Sequence, residues 1–122
     1  MKSDKIVLAI DDNVSQLKEF NLFLASKYDL RVVKSATDAI SFLNNNKVHV
    51  ILLDIEMPNI SGFEFLYDIR KIPSYMVVPI IIVSGNQSPE FFAEARKSGA
   101  ADVLTKPVTQ EKLIEAIEKT FN

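Results

Sequence analysis

The stretch Val48-His49-Val50-Ile51-Leu52-Leu53-Asp54 is apolar except for His49 and stops abruptly at an aspartate. A short run rich in Val, Ile and Leu is typical of a strand that is buried on both faces of a parallel sheet. Four other runs have the same character: Ile6 to Ile10, Leu30 to Val33, Val78 to Val83, and the weaker Asp102 to Leu104. The chain therefore predicts five strands, of which Val48 to Leu53 is the third.

Segments with helical periodicity separate and follow these strands. The first predicted helix runs from Val14 to Lys27, and its apolar residues recur at spacings of three and four. The others span Thr37 to Asn45, Gly62 to Lys71, a segment from the N-cap Ser88 to the C-terminal cap Gly99, and a last helix capped by Thr109. Strand and helix thus alternate five times, which predicts an α/β fold with a three-layer, doubly wound (βα)5 sandwich around a parallel sheet.

Length and composition are those of one folded domain covering residues 1–122. Hydrophobic residues make up 48% of the chain and charged residues 25%, which is ordinary for a globular protein. The net charge of -2 with interspersed signs argues against direct nucleic-acid binding, and the N-terminus resembles neither a signal peptide nor a membrane span. The lack of cysteine is compatible with the reducing cytosol, so we expect a cytoplasmic protein without membrane contact.

Polar residues stand where the predicted strands end. Asp11 and Asp12 follow the first strand, Asp54 the third, Ser84 the fourth and Lys106 the fifth. In parallel sheets these ends meet at one edge, where function collects. Three carboxylates brought together repel unless a cation lies among them, and oxygen ligands alone favour a hard ion such as Mg²⁺. The pattern therefore predicts an open magnesium site at this edge.

The same edge carries what phosphoryl transfer needs. Lys106 offers a positive charge and Ser84 a hydroxyl donor for phosphoryl oxygens, while Asp54 can attack phosphorus to form an acyl phosphate. Taken singly, Asp11 and Asp12 before a helix are typical of an N-cap cluster, and the lysine before Pro107 of an ordinary turn. Turn chemistry gives no reason for all of them to follow strands of one sheet, so the joint pattern favours function.

With these residues assembled, the sequence closely resembles the receiver domain of response regulators in two-component signalling. The resemblance spans nearly the whole chain and implies a flavodoxin-like fold with strand order 2-1-3-4-5. It is carried by Asp11-Asp12, by Leu53-Asp54-Ile55-Glu56-Met57-Pro58 with Gly62, by Ser84, and by Lys106-Pro107.

The resemblance also implies roles for individual residues. Asp54 would be the phosphoacceptor, and Asp11 and Asp12 would hold Mg²⁺ together with the backbone carbonyl of Glu56. A sensor histidine kinase or phosphotransfer protein would donate the phosphoryl group. Receivers assist their own phosphorylation and dephosphorylation but are not enzymes in the ordinary sense. Their Lys-Pro peptide bond is typically cis, which makes Lys106-Pro107 a candidate for that isomer.

Three positions depart from the family pattern or border the phosphoryl group. Many receivers place an aromatic residue three positions before the lysine, where this chain has Val103. A signal passing through Ser84 would therefore have to be read by movement of loops and the fourth helix or by partner contact. Glu56 and Gly85 border the phosphoryl group in receivers and should tune its lifetime. Glu56 could add negative charge, orient a water or pair with Lys106, and these alternatives stay open at this point.

Other assignments concern partners and rival functions. The pattern favours a stand-alone single-domain receiver, and the sequence does not name its downstream target, which is another protein or a fused output domain. The surface of the fourth helix, fifth strand and fifth helix, which includes Val103, is a possible homodimer interface. The His49 imidazole is expected to be a packed or half-exposed side chain without a functional role. Leu22 is a candidate partner contact. The alternatives are a pseudo-receiver that only binds proteins, an aspartyl-nucleophile phosphatase and a flavin binder.

Overall fold

Strands and helices alternate along the computed structural model, which describes residues 2–56 and 62–121. Its strands are β1 (Ile6–Ile10), β2 (Asp29–Val33), β3 (Val50–Leu53), β4 (Ile80–Ser84) and β5 (Asp102–Thr105). Its helices are α1 (Val14–Leu24), α2 (Ala36–Asn45), α3 (Gly62–Arg70), α4 (Pro89–Lys97) and α5 (Gln110–Lys119), with a short 3₁₀ turn at Pro73–Tyr75.

The strands form one parallel sheet in the order β2-β1-β3-β4-β5, which confirms the predicted doubly wound topology. After β1 the chain turns to β2 on one side, and after β2 it crosses to β3 on the other side of β1. The loops that leave β1 and β3 therefore diverge, and such a switch point opens a crevice at the carboxyl ends of the strands. Both strands end level with each other, because Ile10 pairs with Leu53.

Two apolar layers hold the sandwich together, one on each face of the sheet. On one face, Leu8, Ile10, Ile51 and Leu53 pack with residues of α2, α3 and α4. On the other face, the alternating neighbours of these residues pack with α1 and α5: Val7, Ala9, Val50, Leu52. Every residue of the central strands β3 and β4 is buried, whereas the residues of the edge strand β5 are partly exposed. This burial on both faces explains why the strands read as continuous apolar runs.

The predicted caps of the later helices are confirmed. The Ser88 hydroxyl accepts a hydrogen bond from the Phe91 N–H at the start of α4, and Thr109 accepts one from Lys112 at the start of α5. Gly99 follows α4 with a φ of +80°, the left-handed conformation that glycine adopts without steric penalty.

The helix α1 is shorter than predicted, since it ends at Leu24 and not at Lys27. The N–H groups of Lys27 and Tyr28 both donate to the Leu24 carbonyl, at 3.0 and 2.9 Å, so the chain turns there. This turn buries the Tyr28 ring, whose hydroxyl donates to Glu118 of α5. The helix therefore ends before the apolar periodicity of the sequence does, because a tertiary contact buries that ring.

The strands β3 and β4 start later than predicted. The structure starts β3 at Val50 and not Val48, and β4 at Ile80 and not Val78. Ahead of β4, the unpredicted 3₁₀ turn is held by Arg70, whose guanidinium donates to the carbonyls of Tyr75 and Val78. Val78 is buried, with 7% of it exposed, although it lies before the strand, and its carbonyl accepts from Arg70; hydrophobicity alone therefore did not mark the strand start.

Candidate functional site

The carboxylates of Asp11 and Asp54 lie side by side because they follow paired residues of adjacent strands. The Asp54 N–H continues the ladder by donating to the Ile10 carbonyl at 3.0 Å, and the Asp11 N–H donates to the Val33 carbonyl at 3.2 Å. Both side chains are almost fully buried, with 1% and 6% of Asp11 and Asp54 exposed. Two acids at such depth need compensating charge or hydrogen bonds.

Lys106 supplies that compensation. Its Nζ lies 3.0 Å from Oδ2 of Asp11 and 3.7 Å from Oδ2 of Asp54, so one ammonium group faces both carboxylates. The peptide bond to Pro107 is cis, as the family resemblance implied. The Lys106 N–H also donates to the Ser84 carbonyl at 2.9 Å, which ties the lysine to the end of β4.

A third carboxylate, that of the exposed Asp12, completes an acidic cluster. One oxygen each from Asp11, Asp12 and Asp54 can be chosen so that all lie within 4.8 Å of one another. The donors are all oxygens, two of them buried and one open to water, and this set fits a hard divalent cation that keeps part of its hydration shell. The geometry is therefore compatible with the predicted Mg²⁺ ligands. Ligation by the Glu56 carbonyl stays a prediction.

The environment of Asp54 alters its ionisation. Burial raises the pKa of the Asp54 carboxyl above its usual value, and the Asp11 carboxylate raises it further. The Glu56 N–H, which donates to Asp54 Oδ1 at 2.9 Å, and the Lys106 ammonium both act in the opposite direction. An ionised Asp54 in this environment therefore lowers the stability of the folded domain.

Ser84 lies at the same edge of the sheet, and its hydroxyl contacts Glu56, a residue whose role the sequence left open. The Ser84 Oγ donates to Glu56 Oε1 at 2.7 Å and accepts from the Asn86 N–H at 3.1 Å. Among the described residues, Lys106 forms ion pairs with Asp11 and Asp54 and with no other acid, so the suggested pairing of Glu56 with Lys106 is wrong in this structure. The Lys106 ammonium is drawn instead to the buried aspartates.

Asn86 was not singled out from the sequence. Its side-chain oxygen accepts from the Ser88 N–H at 2.9 Å, and Ser88 in turn caps α4. A series of hydrogen bonds therefore runs from the Ser84 hydroxyl to the first turn of α4. The Ser-Gly-Asn sequence is a recognisable turn signal, but only the folded loop shows which group it holds.

Other sequence predictions have mixed outcomes. The Val103 side chain is half-buried against the layer that contains Phe91, and it has no ring that could change position. The His49 imidazole accepts a hydrogen bond from the Ile6 N–H at 3.0 Å, which confirms its structural assignment. Leu22 is 78% exposed beside an apolar groove between α1 and β2, and a role in partner binding stays a prediction. Met57 and Pro58 lie outside the described residues.

The structure is an α/β domain with an acidic site at the topological switch point of its sheet. The comparisons with known proteins give its family. Residues 7–118 match the family model of the response regulator receiver domain. The chain belongs to this family, whose members are signalling switches of two-component systems.

Individual relatives agree with this assignment. Protein PilH of Pseudomonas aeruginosa is 29% identical over 91% of this chain and 93% of its own length. The two-component response regulator ORR3 of Oryza sativa is 32% identical over 84% of this chain and 79% of its own. The crystallised chemotaxis protein CheY4 of Vibrio cholerae superimposes with a TM-score of 0.90 at 28% identity, covering 97% of this chain and 99% of that one.

Several curated relatives are much longer proteins. The chain spans between 15% and 25% of the length of four of them, which include the CAI-1 autoinducer sensor kinase/phosphatase CqsS of Vibrio cholerae. Within residues 2–56 and 62–121, none of the helices combines the length and apolar character needed to cross a membrane.

Proposed function

We propose that this domain is a phosphorylation switch in which Asp54 accepts a phosphoryl group from a phosphohistidine of a sensor kinase or phosphotransfer protein. The observation that carries the proposal is the position of Lys106, whose ammonium faces the buried carboxylates of Asp11 and Asp54 at 3.0 and 3.7 Å. A purely structural ion pair would need only one acid. A lysine between two buried acids, with a third acid beside them, suits a site that gathers and neutralises negative charge.

In the transfer, an Asp54 carboxylate oxygen attacks the phosphorus of the donor. The new P–O bond forms as the P–N bond of the phosphohistidine breaks, and that electron pair stays on the departing imidazole nitrogen, whose neutral form is restored by a proton. A small donor such as acetyl phosphate reacts in the same way, with acetate as the leaving group. The Glu56 N–H, bonded to Asp54 Oδ1, orients the carboxylate for attack through its other oxygen.

The surrounding residues neutralise and bind the phosphoryl oxygens. The Lys106 ammonium, already 3.7 Å from Asp54, offsets the charge that collects there, and the Ser84 hydroxyl serves as a hydrogen-bond donor at the other side. Asp11 and Asp12, with Asp54 and the Glu56 carbonyl, are the residues that would hold Mg²⁺. When bound, this ion supplies further positive charge at the oxygens of the transferring group.

The domain acts as a switch that alters partner binding and not as an enzyme with turnover on a separate substrate. Its downstream target is another protein or a fused output domain in the cytoplasm, without contact of these residues with nucleic acid or membrane. Homodimer formation through α4, β5 and α5 stays a prediction. The intact set of acids and lysine supports phosphorylation over a pseudo-receiver role.

Intact-mass measurement after incubation with acetyl phosphate tests the proposal directly. We expect the wild type to gain one phosphoryl group in Mg²⁺ and none in EDTA, and Asp54→Asn to gain none. Asp68→Asn is the matched control, since it changes an exposed aspartate near the far end of α3. An adduct of equal size on Asp54→Asn, or no adduct from either acetyl phosphate or a phosphorylated histidine kinase, would refute the proposed function.

A further inference from the structure

The hydroxyl of Ser84 has a single proton, and in this structure it donates that proton in a hydrogen bond to Glu56 Oε1. The Oγ–Oε1 distance of 2.7 Å is that of a well-formed hydrogen bond, and a hydrogen bond to a carboxylate is stronger than one between neutral groups. The other contact of the hydroxyl, from the Asn86 N–H, uses an oxygen lone pair and does not involve the proton that is donated to Glu56. A hydroxyl that donates to Glu56 cannot at the same time donate to a phosphoryl oxygen.

The two partners differ in what they can do when they separate. Ser84 is 1% exposed, so its hydroxyl has no access to bulk water and must exchange one acceptor for another. The Glu56 residue is exposed, and its carboxylate can be solvated once it is released. The Ser84 backbone is also held, because its carbonyl accepts from the Lys106 N–H. The exchange therefore requires a change at the serine side chain and a movement of Glu56, with the strand end left in place.

We propose that Glu56 is a positioning residue that keeps the Ser84 hydroxyl in a resting arrangement and thereby opposes its engagement with a phosphoryl group on Asp54. This inference rests on the proposed function, and it chooses a hydrogen bond to serine among the roles that the sequence left open for Glu56. Whatever free energy holds the pair together in the resting domain must be given up on phosphorylation. Release of Glu56 should therefore favour the phosphorylated arrangement.

The hydrogen bond between Glu56 and Ser84 and simple charge repulsion by Glu56 have different consequences. A negative charge at position 56 would repel a phosphoryl group whether or not Ser84 is present, whereas the proposed contact requires the serine hydroxyl. A double-mutant cycle of Glu56→Ala and Ser84→Ala isolates the part of the effect that depends on both residues. Two further variants separate charge from contact. Glu56→Gln keeps an acceptor of the same length without the charge, and Glu56→Asp keeps the charge on a side chain one methylene shorter.

The experiment measures binding of beryllofluoride, a phosphoryl mimic, by isothermal titration calorimetry in Mg²⁺, together with the acetyl phosphate adduct by intact mass. With Ser84 present, we expect Glu56→Ala and Glu56→Asp to bind beryllofluoride about three- to tenfold more tightly than wild type, as loss of a solvent-accessible charged hydrogen bond predicts. Glu56→Gln should stay closer to wild type. In the Ser84→Ala background, the added substitution Glu56→Ala should no longer tighten the binding of beryllofluoride. Glu115→Ala, which removes an exposed charge on α5, is the control and should leave binding unchanged.

The outcomes separate this inference from the function on which it rests. A wild-type adduct together with a Ser84-dependent gain supports both. A wild-type adduct with the same effect of Glu56→Ala in the presence and absence of Ser84 overturns the role of Glu56 and leaves the proposed function intact. The absence of a Mg²⁺-dependent adduct on the wild type overturns the proposed function and the role of Glu56 with it. Far-UV circular dichroism of each variant verifies that it is folded.

Discussion

Replacement of Asp54 by Asn should stabilise the domain at neutral pH in the absence of Mg²⁺. The substitution removes one of two buried carboxylates and keeps a side-chain oxygen that can accept the Glu56 N–H. The same substitution removes the proposed phosphoacceptor. The wild-type aspartate is thus predicted to serve function while it lowers the stability of the fold.

The magnitude follows from the charges around Asp54. At an effective dielectric constant of about 20, attraction to Lys106 across 3.7 Å and repulsion from Asp11 within 4.8 Å are each worth ~4 kcal/mol. Because these two interactions nearly cancel, the burial of the carboxylate, 6% exposed, decides the sign. Allowing for relaxation and water access, we expect Asp54→Asn to raise the free energy of unfolding by about 1–2 kcal/mol, within the range of single stabilising substitutions.

The pH dependence gives the prediction a second observable. Because burial raises the pKa of Asp54 in the folded state, the folded protein binds the proton more tightly than the unfolded chain does. Wild-type stability from this group is therefore greatest below the unfolded pKa, falls as pH rises between the unfolded and folded pKa values, and stays low above the folded one. The stability advantage of Asp54→Asn should accordingly be full at neutral pH and shrink on acidification towards the ordinary aspartate pKa.

Urea unfolding followed by far-UV circular dichroism in EDTA at several pH values measures this difference. At about 3–6 °C per kcal/mol for a domain of this size, thermal melting should show the same gain as a rise of several degrees. The Asp68→Asn variant, which changes an exposed acid, should differ little from wild type. An Asp54→Asn variant that is no more stable than wild type at neutral pH, or a gain that does not shrink in acid, would show that burial of the charge is not what limits stability here.

Three further substitutions test how the fold positions the site. Gly62→Ala places a methyl group 2.4 Å from the Ile55 Cα, so we expect the free energy of unfolding, measured by urea denaturation, to fall by at least about 2 kcal/mol. Gly85→Ala is the control, because its methyl group would meet no atom within 4 Å beyond the adjacent residues, and equal stability of the two variants would contradict the close approach. Tyr28→Phe removes the hydroxyl that donates to Glu118 and should cost about 1 kcal/mol by the same assay, whereas an unchanged midpoint would show that the contact contributes nothing. Ser88→Ala removes the N-cap of α4 and should cost about 1 kcal/mol, with Ser88→Thr restoring most of it; failure of threonine to do so would argue against the cap.

Much of the fold was readable because local and tertiary preferences agree. Strands β3 and β4 are buried on both faces, so each is apolar except for Ser84 at the end of β4. The caps at Ser88, Gly99 and Thr109 act through neighbouring backbone groups. Boundaries were less accurate where distant residues decide them. The early end of α1 depends on burial of Tyr28 near α5, and the start of β4 on a turn held by Arg70. No local pattern encodes such contacts.

The sequence by itself determined which chemical groups could meet in this protein. Acids, a hydroxyl and a lysine stand at the ends of strands, and parallel pairing brings such ends to one edge whatever the details of packing. Only the tertiary structure decided how they pair. Lys106 lies nearer to Asp11 than to Asp54, and the Ser84 hydroxyl donates to Glu56. These contacts depend on the distances between side chains from different strands and loops and on which of those side chains are shielded from water. A linear pattern specifies residue types and strand ends, whereas the partners of each charge are set by geometry of a few tenths of an ångström.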